Sequence, residues 1–187
     1  MISLPDLQKI MPYLSEGRAR QFYGPLSDAM HEFQINTPAR EAAFLAQLAH
    51  ESGEFRYMEE LANGVAYNGR ADLGNTSAEA RRYSNGNPGP FYKGHGPIQI
   101  TGFNNHRDCS LALFGDDTLL REPTKLTEPV TGCRGAGWFW QSKGLNDLAD
   151  ESKFGSLTRR INGGFNGLDE RCKYWARALV VLDVLTV

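Results

Sequence analysis

The chain has 187 residues, a formal net charge of −2 and a hydrophobic content of 41%, which are ordinary values for a soluble globular protein. No block of basic residues is present, so nucleic-acid binding has no electrostatic basis. The apolar run Ala178–Leu182 is short and is followed by Asp183, so we expect no insertion into a membrane. The size suits one domain over residues 1–187. The first 14 residues lack the apolar core of a signal peptide, which predicts a protein made in a cytoplasm without an export signal.

Cysteine usage argues against disulfides and against a metal site. The three cysteines are widely spaced and odd in number: Cys109, Cys133 and Cys172. A disulfide framework uses an even set, so we expect reduced and mostly buried thiols. No Cys-x-x-Cys pair is present, and His50-Glu51 is not followed by a second histidine at position 54, so two common zinc motifs are missing. We therefore expect neither a metal nor a cofactor.

Hydrophobic periodicity predicts a mainly helical fold. Helices are expected over the ranges 3–12, 16–34, 38–52, 104–114, 130–142, 144–150, 153–162 and 168–184. Gly24-Pro25 should kink or divide the second of these helices. Between residues 62 and 97 the periodicity fades and Gly, Asn and Pro become frequent, which predicts a small irregular lobe at about 62–100. Short hairpin strands are expected there at Val65–Tyr67 and Pro97–Ile100.

The third helix ends in a carboxylate that faces the predicted core. Thr37 and Pro38 suit its start, and Gly53 suits its end. Phe44, Leu48 and Glu51 follow the spacing i, i+4 and i+7, so the Glu51 carboxyl lies on the apolar stripe. Partial desolvation and the negative end of the helix dipole both favour a protonated carboxyl. Glu51 is therefore a candidate general acid.

A second carboxylate follows nine residues later, at Glu60. On a continuous helix it would lie about 13.5 Å further along and on the opposite face. The break at Gly53 lets the chain bend back, so two carboxyls could flank one bond at about 6.5–9.5 Å, the separation used by inverting glycosidases. The alternative is a helix-terminal Glu51 with a solvated acidic pair, Glu59 and Glu60.

Four motifs together resemble glycoside hydrolase family 19, the family of plant chitinases and many phage endolysins. In chain order they are His50-Glu51-Ser52-Gly53, Glu59-Glu60-Leu61 with Tyr67, Gly94-His95-Gly96-Pro97-Ile98-Gln99-Ile100-Thr101, and Ile161-Asn162-Gly163-Gly164. The resemblance implies an α+β, lysozyme-like architecture with a substrate cleft between a helical and a small lobe. We expect a single catalytic domain over residues 1–187 and no separate cell-wall-binding domain.

The resemblance also implies roles for individual residues. Glu51 corresponds to the general acid, Glu60 to the general base, and Thr101 to a hydroxyl that holds the attacking water. Arg171 resembles an arginine that supports the acid, although its spacing differs. Sugar-contacting positions are assigned to Gln99, Asn105, Asn162, Tyr67 and His50.

Two departures from the family pattern stand out. His95 replaces an arginine of the first glycine motif, which predicts a local charge that depends on pH. Asn166 stands where plant members carry a further glutamate, so a carboxylate–arginine–carboxylate network is not expected, although Arg171 could still pair with Glu51.

Several residues have structural explanations that compete with functional ones. His50 fits an orienting histidine at the edge of the core better than a metal ligand. Trp138-Phe139-Trp140 is predicted to pack in the core, and Arg159-Arg160 to form a solvated face from which one side chain could reach the cleft. Cys133 lacks the neighbouring histidine that a thiol nucleophile requires.

The leading hypothesis is a phage-type endolysin that cleaves β-1,4 bonds between N-acetylmuramic acid and N-acetylglucosamine in peptidoglycan. Such a protein would act as a monomer, waiting in the host cytoplasm until a holin-type pore admits it to the periplasmic cell wall. The alternatives are a family 19 chitinase and a non-catalytic glycan-binding protein on the same scaffold. A cysteine peptidase or metal amidase is a more distant alternative.

Overall fold

Helices account for most of the secondary structure in the computed structural model, which describes residues 2–184. They are α1 (Leu4–Ile10), α2 (Glu16–Glu32), α3 (Pro38–Ser52), α4 (Ala78–Tyr83), α5 (Pro88–Phe91), α6 (Phe103–Phe114), α7 (Thr118–Arg121), α8 (Pro129–Ser142), α9 (Leu145–Asp150), α10 (Phe154–Asn162) and α11 (Leu168–Val181). Short 3₁₀ helices lie at Val65–Tyr67, Ala71–Leu73 and Pro123–Thr127. The mainly α prediction is confirmed. Met1 and residues 185–187, included in the predicted domain, lie outside the described residues. Within 2–184, no helix combines the length and apolarity needed to cross a bilayer.

Helix α3 runs through the centre of the molecule, and its ends are those predicted. The Thr37 hydroxyl accepts a hydrogen bond from the backbone N–H of Arg40 at 3.3 Å, which satisfies one of the free donors of the first turn. Gly53 closes the helix with φ of 55°, a left-handed conformation that glycine adopts without steric cost. Every residue from Glu41 to Ala49 is buried. The helix is therefore a fixed support for the side chains of its last turn.

Two hydrophobic clusters stabilise different parts of the chain. The larger cluster surrounds α3, which packs most extensively against α11, while α2 packs against α8. Phe44 of α3 meets Trp140 of α8 edge to face, with ring centroids 5.1 Å apart. The smaller cluster lies beside the predicted small lobe and consists of Ala80, Tyr92, Phe103 and Leu120. Two separate clusters leave a boundary between them in which a cleft can form.

Helix α2 is continuous through Pro25, so of the two predicted effects of Gly24-Pro25, a kink or a division, the division does not occur. A proline inside a helix removes one hydrogen bond and costs about 3 kcal/mol. The flanking residues Phe22, Leu26 and Met30 are buried in the larger cluster. Burying such side chains contributes about 1.5–3 kcal/mol each, which exceeds the cost of the proline.

The segment 62–97 is less irregular than predicted, but it contains no hairpin. Val65–Tyr67 forms a 3₁₀ turn after Gly64, which has φ of 72°, and Gln99 interrupts Pro97–Ile100 with φ of 57°. Pairing in this region is limited to isolated bridges that join His95 to Glu59 and to Ile100. Left-handed residues at these positions prevent the extended backbone that a strand requires, so the expected strands are wrong.

Buried Asn75 holds the segment in place. Its amide nitrogen donates to the carbonyl of Tyr67 at 2.9 Å, and its carbonyl oxygen accepts from the backbone N–H of Phe103 at 2.9 Å. The latter bond satisfies a free donor at the start of α6, where Gly102 supplies no side-chain cap. One side chain thus connects the irregular segment to the first helix that follows it.

Candidate active site

A cleft of about 540 Å³ lies beside the end of α3, a volume typical of ligand sites. Residues from several separate parts of the chain line it: Glu51, Glu60, Tyr67, Leu73, Ile98, Gln99, Thr101, Asn105, Phe139, Lys143, Arg160, Ile161 and Asn162. Both predicted carboxylates and the predicted hydroxyl are among them. The structure therefore brings together residues that are separated by up to 111 positions in the sequence.

Of the two carboxyl oxygens of Glu51, one accepts a hydrogen bond from the protein. The Glu51 side chain is 18% exposed, and the Nη2 group of Arg171 donates to Oε1 at 2.6 Å. Within residues 2–184, Oε2 has no hydrogen-bond partner. The contact with Arg171 fixes the plane of the carboxyl group, while Oε2 is available to a bound molecule in the cleft.

Arg171 is itself fixed by a buried polar network. The side chain lies on α11 and the residue is 2% exposed. Nη1 donates to the Oε1 atom of Gln47, Nε donates to the carbonyl of Asn166 at 3.4 Å, and Gln47 donates in turn to the hydroxyl of Thr158 at 2.8 Å. Gln47 and Thr158 were missed by sequence reasoning. The available signal was the position of Gln47, four residues before Glu51 on the same apolar stripe.

Glu60 has both carboxyl oxygens engaged. Oε1 accepts from the hydroxyl of Tyr67 at 2.9 Å, and Oε2 accepts from the backbone N–H of Gly94 at 3.0 Å. Burial raises the pKa of Tyr67, and the hydrogen bond to Glu60 raises it further, so the hydroxyl keeps its proton and acts as the donor. Because each carboxylate oxygen has two lone pairs, Glu60 can still accept a proton from a water molecule.

Thr101 lines the cleft, and its hydroxyl proton is engaged in a hydrogen bond to the backbone. Oγ1 donates to the carbonyl of Gln99 at 2.9 Å, so the lone pairs of Oγ1 remain to accept from water. Gln99 adopts a left-handed φ of 57°, a conformation that costs a residue with a Cβ about 1–2 kcal/mol. Its amide nitrogen donates to the carbonyl of Gly96 at 2.9 Å, which holds this turn.

Two predicted sugar-contacting amides also line the cleft. The nitrogen of Asn105 donates to the carbonyl of Thr101 at 2.8 Å, and that of Asn162 donates to the carbonyl of Asn166 at 3.1 Å. Each amide oxygen has no partner within the described part of the chain. Both side chains are therefore oriented with an acceptor available to a ligand.

His50 is not brought into the cleft, in contrast to its predicted sugar contact. Its Nδ1 atom lies 2.7 Å from the carboxylate of Glu170, and its ring covers Gly167, where an added Cβ would come within 2.3 Å of Cε1. The physical reason is helical geometry, since adjacent residues of a helix point about 100° apart. With Glu51 directed into the cleft, His50 is directed toward α11.

His95 is buried, and burial moves the predicted pH dependence of its charge to a range below physiological pH. The side chain packs against His106, with Nδ1 and Nε2 separated by 3.2 Å. Nδ1 of His106 donates to the carbonyl of Gly102 at 2.8 Å, so His95 acts as donor in the pair. Burial lowers the pKa of His95 to about 4 and that of His106 to about 3. The pair is a neutral core contact beneath the cleft.

Three further residues of the cleft wall carry chemistry that sequence reasoning did not assign. Phe139, predicted as core, is 8% exposed and faces the cleft, whereas its neighbour Trp140 is fully buried. The ammonium of Lys143 lies 5.5 Å from the centroid of the Phe139 ring. Arg160 lines the cleft, as expected for one of the two arginines of the solvated face Arg159-Arg160, and it donates to the carbonyl of Lys143 at 3.0 Å. Neither cation has an acidic partner within residues 2–184.

The buried thiols do not form a nucleophilic centre. Burial raises the pKa of both Cys109 and Cys133 to about 12, so neither is a thiolate at neutral pH. In the described part of the chain, no three His, Cys, Asp or Glu side chains are grouped as metal ligands. The titratable groups that line the cleft are two carboxylates, one phenol and two cations, namely Glu51, Glu60, Tyr67, Lys143 and Arg160.

Several proteins of known family are similar to this chain in sequence. No protein-family model matches the chain. A protein of Haemophilus influenzae, described as a glycosyl hydrolase family 19 domain-containing protein, is 33% identical over 98% of both chains. An endochitinase of Arabidopsis thaliana is 35% identical over 78% of this chain and 47% of its own length. The chain thus spans about half the length of the plant endochitinases it matches.

Solved structures show the same fold. A bacterial family 19 chitinase superposes with a TM-score of 0.75 over 97% of this chain and 94% of its own, at 22% identity. A class IV family 19 chitinase of Zea mays gives a TM-score of 0.71 at 20% identity, over 97% and 92% of the two chains. The nearly full-length match to the Haemophilus protein adds sequence relationship to this likeness of fold. As its motifs indicated, the chain belongs to glycosyl hydrolase family 19.

Proposed function

We propose that the protein hydrolyses β-1,4-glycosidic bonds in polymers of N-acetylglucosamine by acid–base catalysis with inversion. The observation that carries the proposal is the presence of Glu51 and Glu60 in one cleft, one partnered on a single oxygen and the other on both. The plant relatives described as endochitinases support this substrate class. An inverting enzyme needs one carboxylic acid, one carboxylate and room for a water molecule.

Glu51 acts as the general acid through Oε2. In the protonated form, Oε2–H donates to the glycosidic oxygen, and the proton moves to that oxygen as its bond to the anomeric carbon breaks. Arg171 holds Oε1 at 2.6 Å and stabilises the carboxylate that remains. The proton is restored from solvent before the next cycle. Asn105 and Asn162 offer amide oxygens to the N-acetyl N–H and hydroxyl groups of the bound sugars.

Glu60 acts as the general base on the attacking water. The water donates one hydrogen to Glu60 and the other to Oγ1 of Thr101, whose own proton is held by Gln99. As the water oxygen bonds to the anomeric carbon, its proton passes to Glu60. Tyr67 and the Gly94 N–H fix the carboxylate during this step. Positioned proton transfers of this kind contribute about 10²–10⁴-fold each.

Two measurements test the proposal: the stereochemistry of the first product, and the effect on kcat of replacing each carboxylate separately. Proton NMR of soluble N-acetylglucosamine oligomers should show the α-anomer as the first product, and a β-anomer would contradict inversion. Glu51→Gln and Glu60→Gln should each lower kcat by about 10²–10⁴-fold. The matched control is Glu59→Gln, because Glu59 is 46% exposed and pairs with Lys93 outside the cleft lining. Equal losses in all three variants would contradict the assignment.

Peptidoglycan is a second candidate substrate, favoured by the cations of the cleft wall. Chitin-type polymers are neutral, whereas muramic acid adds a lactyl group and peptides that bear carboxylates. Lys143 and Arg160 line the cleft without acidic partners in the described residues, and a bound carboxylate would supply one. On this hypothesis the protein is an endolysin of lysozyme type that reaches the periplasmic wall through a holin-type pore.

Charge-neutral variants distinguish the two substrates. With peptidoglycan as substrate, Lys143→Gln and Arg160→Gln should lower kcat/KM on purified peptidoglycan by about 5–10-fold, in line with about 1 kcal/mol for an ion pair. Rates on N-acetylglucosamine oligomers should change little. Arg159→Gln is the control, since Arg159 neighbours Arg160 on α10 but does not line the cleft. Sugar binding without any new reducing ends would instead indicate a non-catalytic glycan-binding protein.

A further inference from the structure

A second surface, outside the catalytic cleft, has the composition of a binding site. Three shallow depressions of about 210, 400 and 230 Å³ adjoin one another and share Tyr13. This residue lies on the turn between α1 and α2 and is 88% exposed. The walls come from that turn, from the chain just after α3, and from α11. We name it the Tyr13 surface and define it by Tyr13, Tyr57, Tyr174, Arg18, Arg56 and Lys173.

Aromatic rings and cations alternate on this surface. Tyr57 is 38% exposed, and the guanidinium of Arg56 lies 5.2 Å from the centroid of its ring. Tyrosine and arginine are the residue types enriched at binding surfaces, because each offers a flat, amphipathic face at low entropic cost. Such faces suit the flat apolar sides of sugar rings.

The cations of the surface have no acidic partners, although the whole chain carries a net charge of −2. Within residues 2–184, Arg18, Arg56 and Lys173 form no ion pair. Two carboxylates line the same depressions. Glu54 is 3% exposed, and its oxygens are occupied by the hydroxyl of Tyr174 at 2.7 Å and the backbone N–H of Tyr13 at 2.5 Å. The carboxylate of Glu170 lies 2.7 Å from Nδ1 of His50. Local positive charge is therefore left for a partner.

The backbone beneath the surface is strained and tightly held. Glu54 and Phe55 adopt successive left-handed conformations with φ of 60° and 61°, at a cost of about 1–2 kcal/mol each. Phe55 stacks on Phe22 with centroids 4.8 Å apart, and Arg18 donates to the carbonyl of Phe55 at 2.7 Å. Strain that the surroundings enforce is concentrated at functional positions, and here it fixes the relative placement of Tyr13 and Tyr57.

The surface borders the catalytic cleft. The amide nitrogen of Gln99, which lines the cleft, lies 3.4 Å from the carbonyl of Tyr57. We propose that the Tyr13 surface is a non-catalytic binding site for a carboxylate-bearing glycan polymer, which it holds beside the cleft during hydrolysis. This inference rests on the peptidoglycan candidate of the proposed function only for its purpose, because binding at the surface is measurable without turnover.

The experiment measures binding in a Glu51→Gln background, so that the polymer is not consumed. Co-sedimentation uses three probes: purified peptidoglycan sacculi, the same sacculi with their carboxylates amidated, and chitin beads. Tyr13→Ala and the double variant Arg56→Gln/Lys173→Gln are compared with Arg81→Gln/Arg159→Gln, a charge-matched control at two exposed residues that do not line the Tyr13 surface. The substituted cations make no backbone hydrogen bonds in the structure, so folding should be preserved.

Both surface variants should bind sacculi at least about tenfold more weakly than the parent protein. Added salt should weaken the binding of the parent protein. Amidated sacculi should bind as weakly to the parent protein as to the surface variants, and chitin, which carries no carboxylate and is held by the cleft, should bind equally to all of them. With Glu51 intact, the surface variants should cleave soluble oligomers at the parent rate. Unchanged sacculus binding, equal binding of amidated sacculi, or a parallel loss on soluble oligomers would each overturn the proposal. A parent protein that binds sacculi through Tyr13 but cleaves no glycan would overturn only the proposed hydrolysis.

Discussion

Arg171 donates to Glu51 across 2.6 Å, although 120 positions separate the two residues in the chain. The arginine is 2% exposed and the glutamate side chain 18%, so this ion pair lies largely out of solvent. Gln47, one turn before Glu51, accepts from the same guanidinium. The pair therefore ties α11 to the last two turns of α3 and places the candidate acid at the cleft.

Arg171→Met should lower the free energy of unfolding by about 3–5 kcal/mol, because it leaves a carboxylate and a buried amide oxygen without their donor. Urea denaturation at neutral pH measures this loss. The double variant Arg171→Met/Glu51→Gln should lose less than Arg171→Met alone, since the unpaired charge is removed. Arg134→Met is the control: its pair with Glu32 is 33% and 41% exposed and should contribute about 0–1 kcal/mol. Equal losses at the two arginines would contradict this view of the pair.

Tyr67→Phe should lower kcat while leaving the fold intact. The hydroxyl donates to Oε1 of Glu60 at 2.9 Å, and a hydrogen bond to a charged group is worth about 1.5–3 kcal/mol. Losing it leaves the base held by the Gly94 N–H alone, so kcat should fall by about 10–100-fold. Initial rates on soluble oligomers give kcat, and circular dichroism checks the fold. A parent-like kcat would show that Gly94 suffices to position Glu60.

Two glycine-to-alanine variants should shift stability in opposite directions. A Cβ added at Gly137 of α8 would lie 2.2 Å from Cδ2 of Phe33, and such overpacking costs about 1–3 kcal/mol. A Cβ at Gly155 of α10 meets nothing within 4 Å, so Gly155→Ala should gain about 0.4–1 kcal/mol by restricting the unfolded chain. Thermal unfolding of both variants measures the difference. A shift of the same sign in both would contradict the packing at Phe33.

Stability should decrease as the pH falls from 7 to 5. Burial lowers the pKa of His95 to about 4 and of His106 to about 3, whereas in the unfolded chain both titrate near 6.5. Below that value the unfolded state binds protons that the folded state refuses, so each histidine costs about 2 kcal/mol by pH 5. Above pH 7 both histidines are neutral in the folded and in the unfolded chain, so their burial no longer lowers the stability.

Urea denaturation at pH 7 and pH 5 tests this dependence. His95→Asn should reduce the difference between the two values by about half, because one of the two buried imidazoles is removed. Replacing His31, which is exposed on α2, by Asn should leave the difference unchanged. A parent protein equally stable at both pH values would show that the pair is hydrated rather than buried.

Local sequence signals were sufficient for much of the helical framework. Thr37, Pro38 and Gly53 defined both ends of α3, because capping and left-handed termination depend on neighbouring residues only. The i, i+4, i+7 spacing placed Glu51 on the inner face. Local signals were insufficient at two places. At Pro25, burial of the flanking side chains outweighs the cost of a proline inside a helix, so α2 is not divided. At Val65–Tyr67, the preceding glycine is left-handed and the chain forms a 3₁₀ turn instead of a strand.

The residues of the candidate site were likewise only partly predictable from the sequence. Motif resemblance selected Glu51, Glu60, Thr101 and Asn162, all of which line the cleft. Arg160 was predicted mainly as a solvated face, because its exposure depends on how α10 is placed. His50 was assigned a sugar contact as part of the first motif, although helical rotation turns it toward Glu170.

Sequence alone determined the helical framework, the family and the two carboxylates, because capping, periodicity and motif order are carried by residues close together in the chain. Tertiary structure alone decided that Gln47 and Thr158 support Arg171, that burial lowers the pKa of His95, and that unpaired cations face the cleft. The first of these depends on contacts between residues more than 100 positions apart, and the other two depend on burial and on how the helices are placed. Desolvation and charge pairing act through space, so they are defined only once the chain has folded.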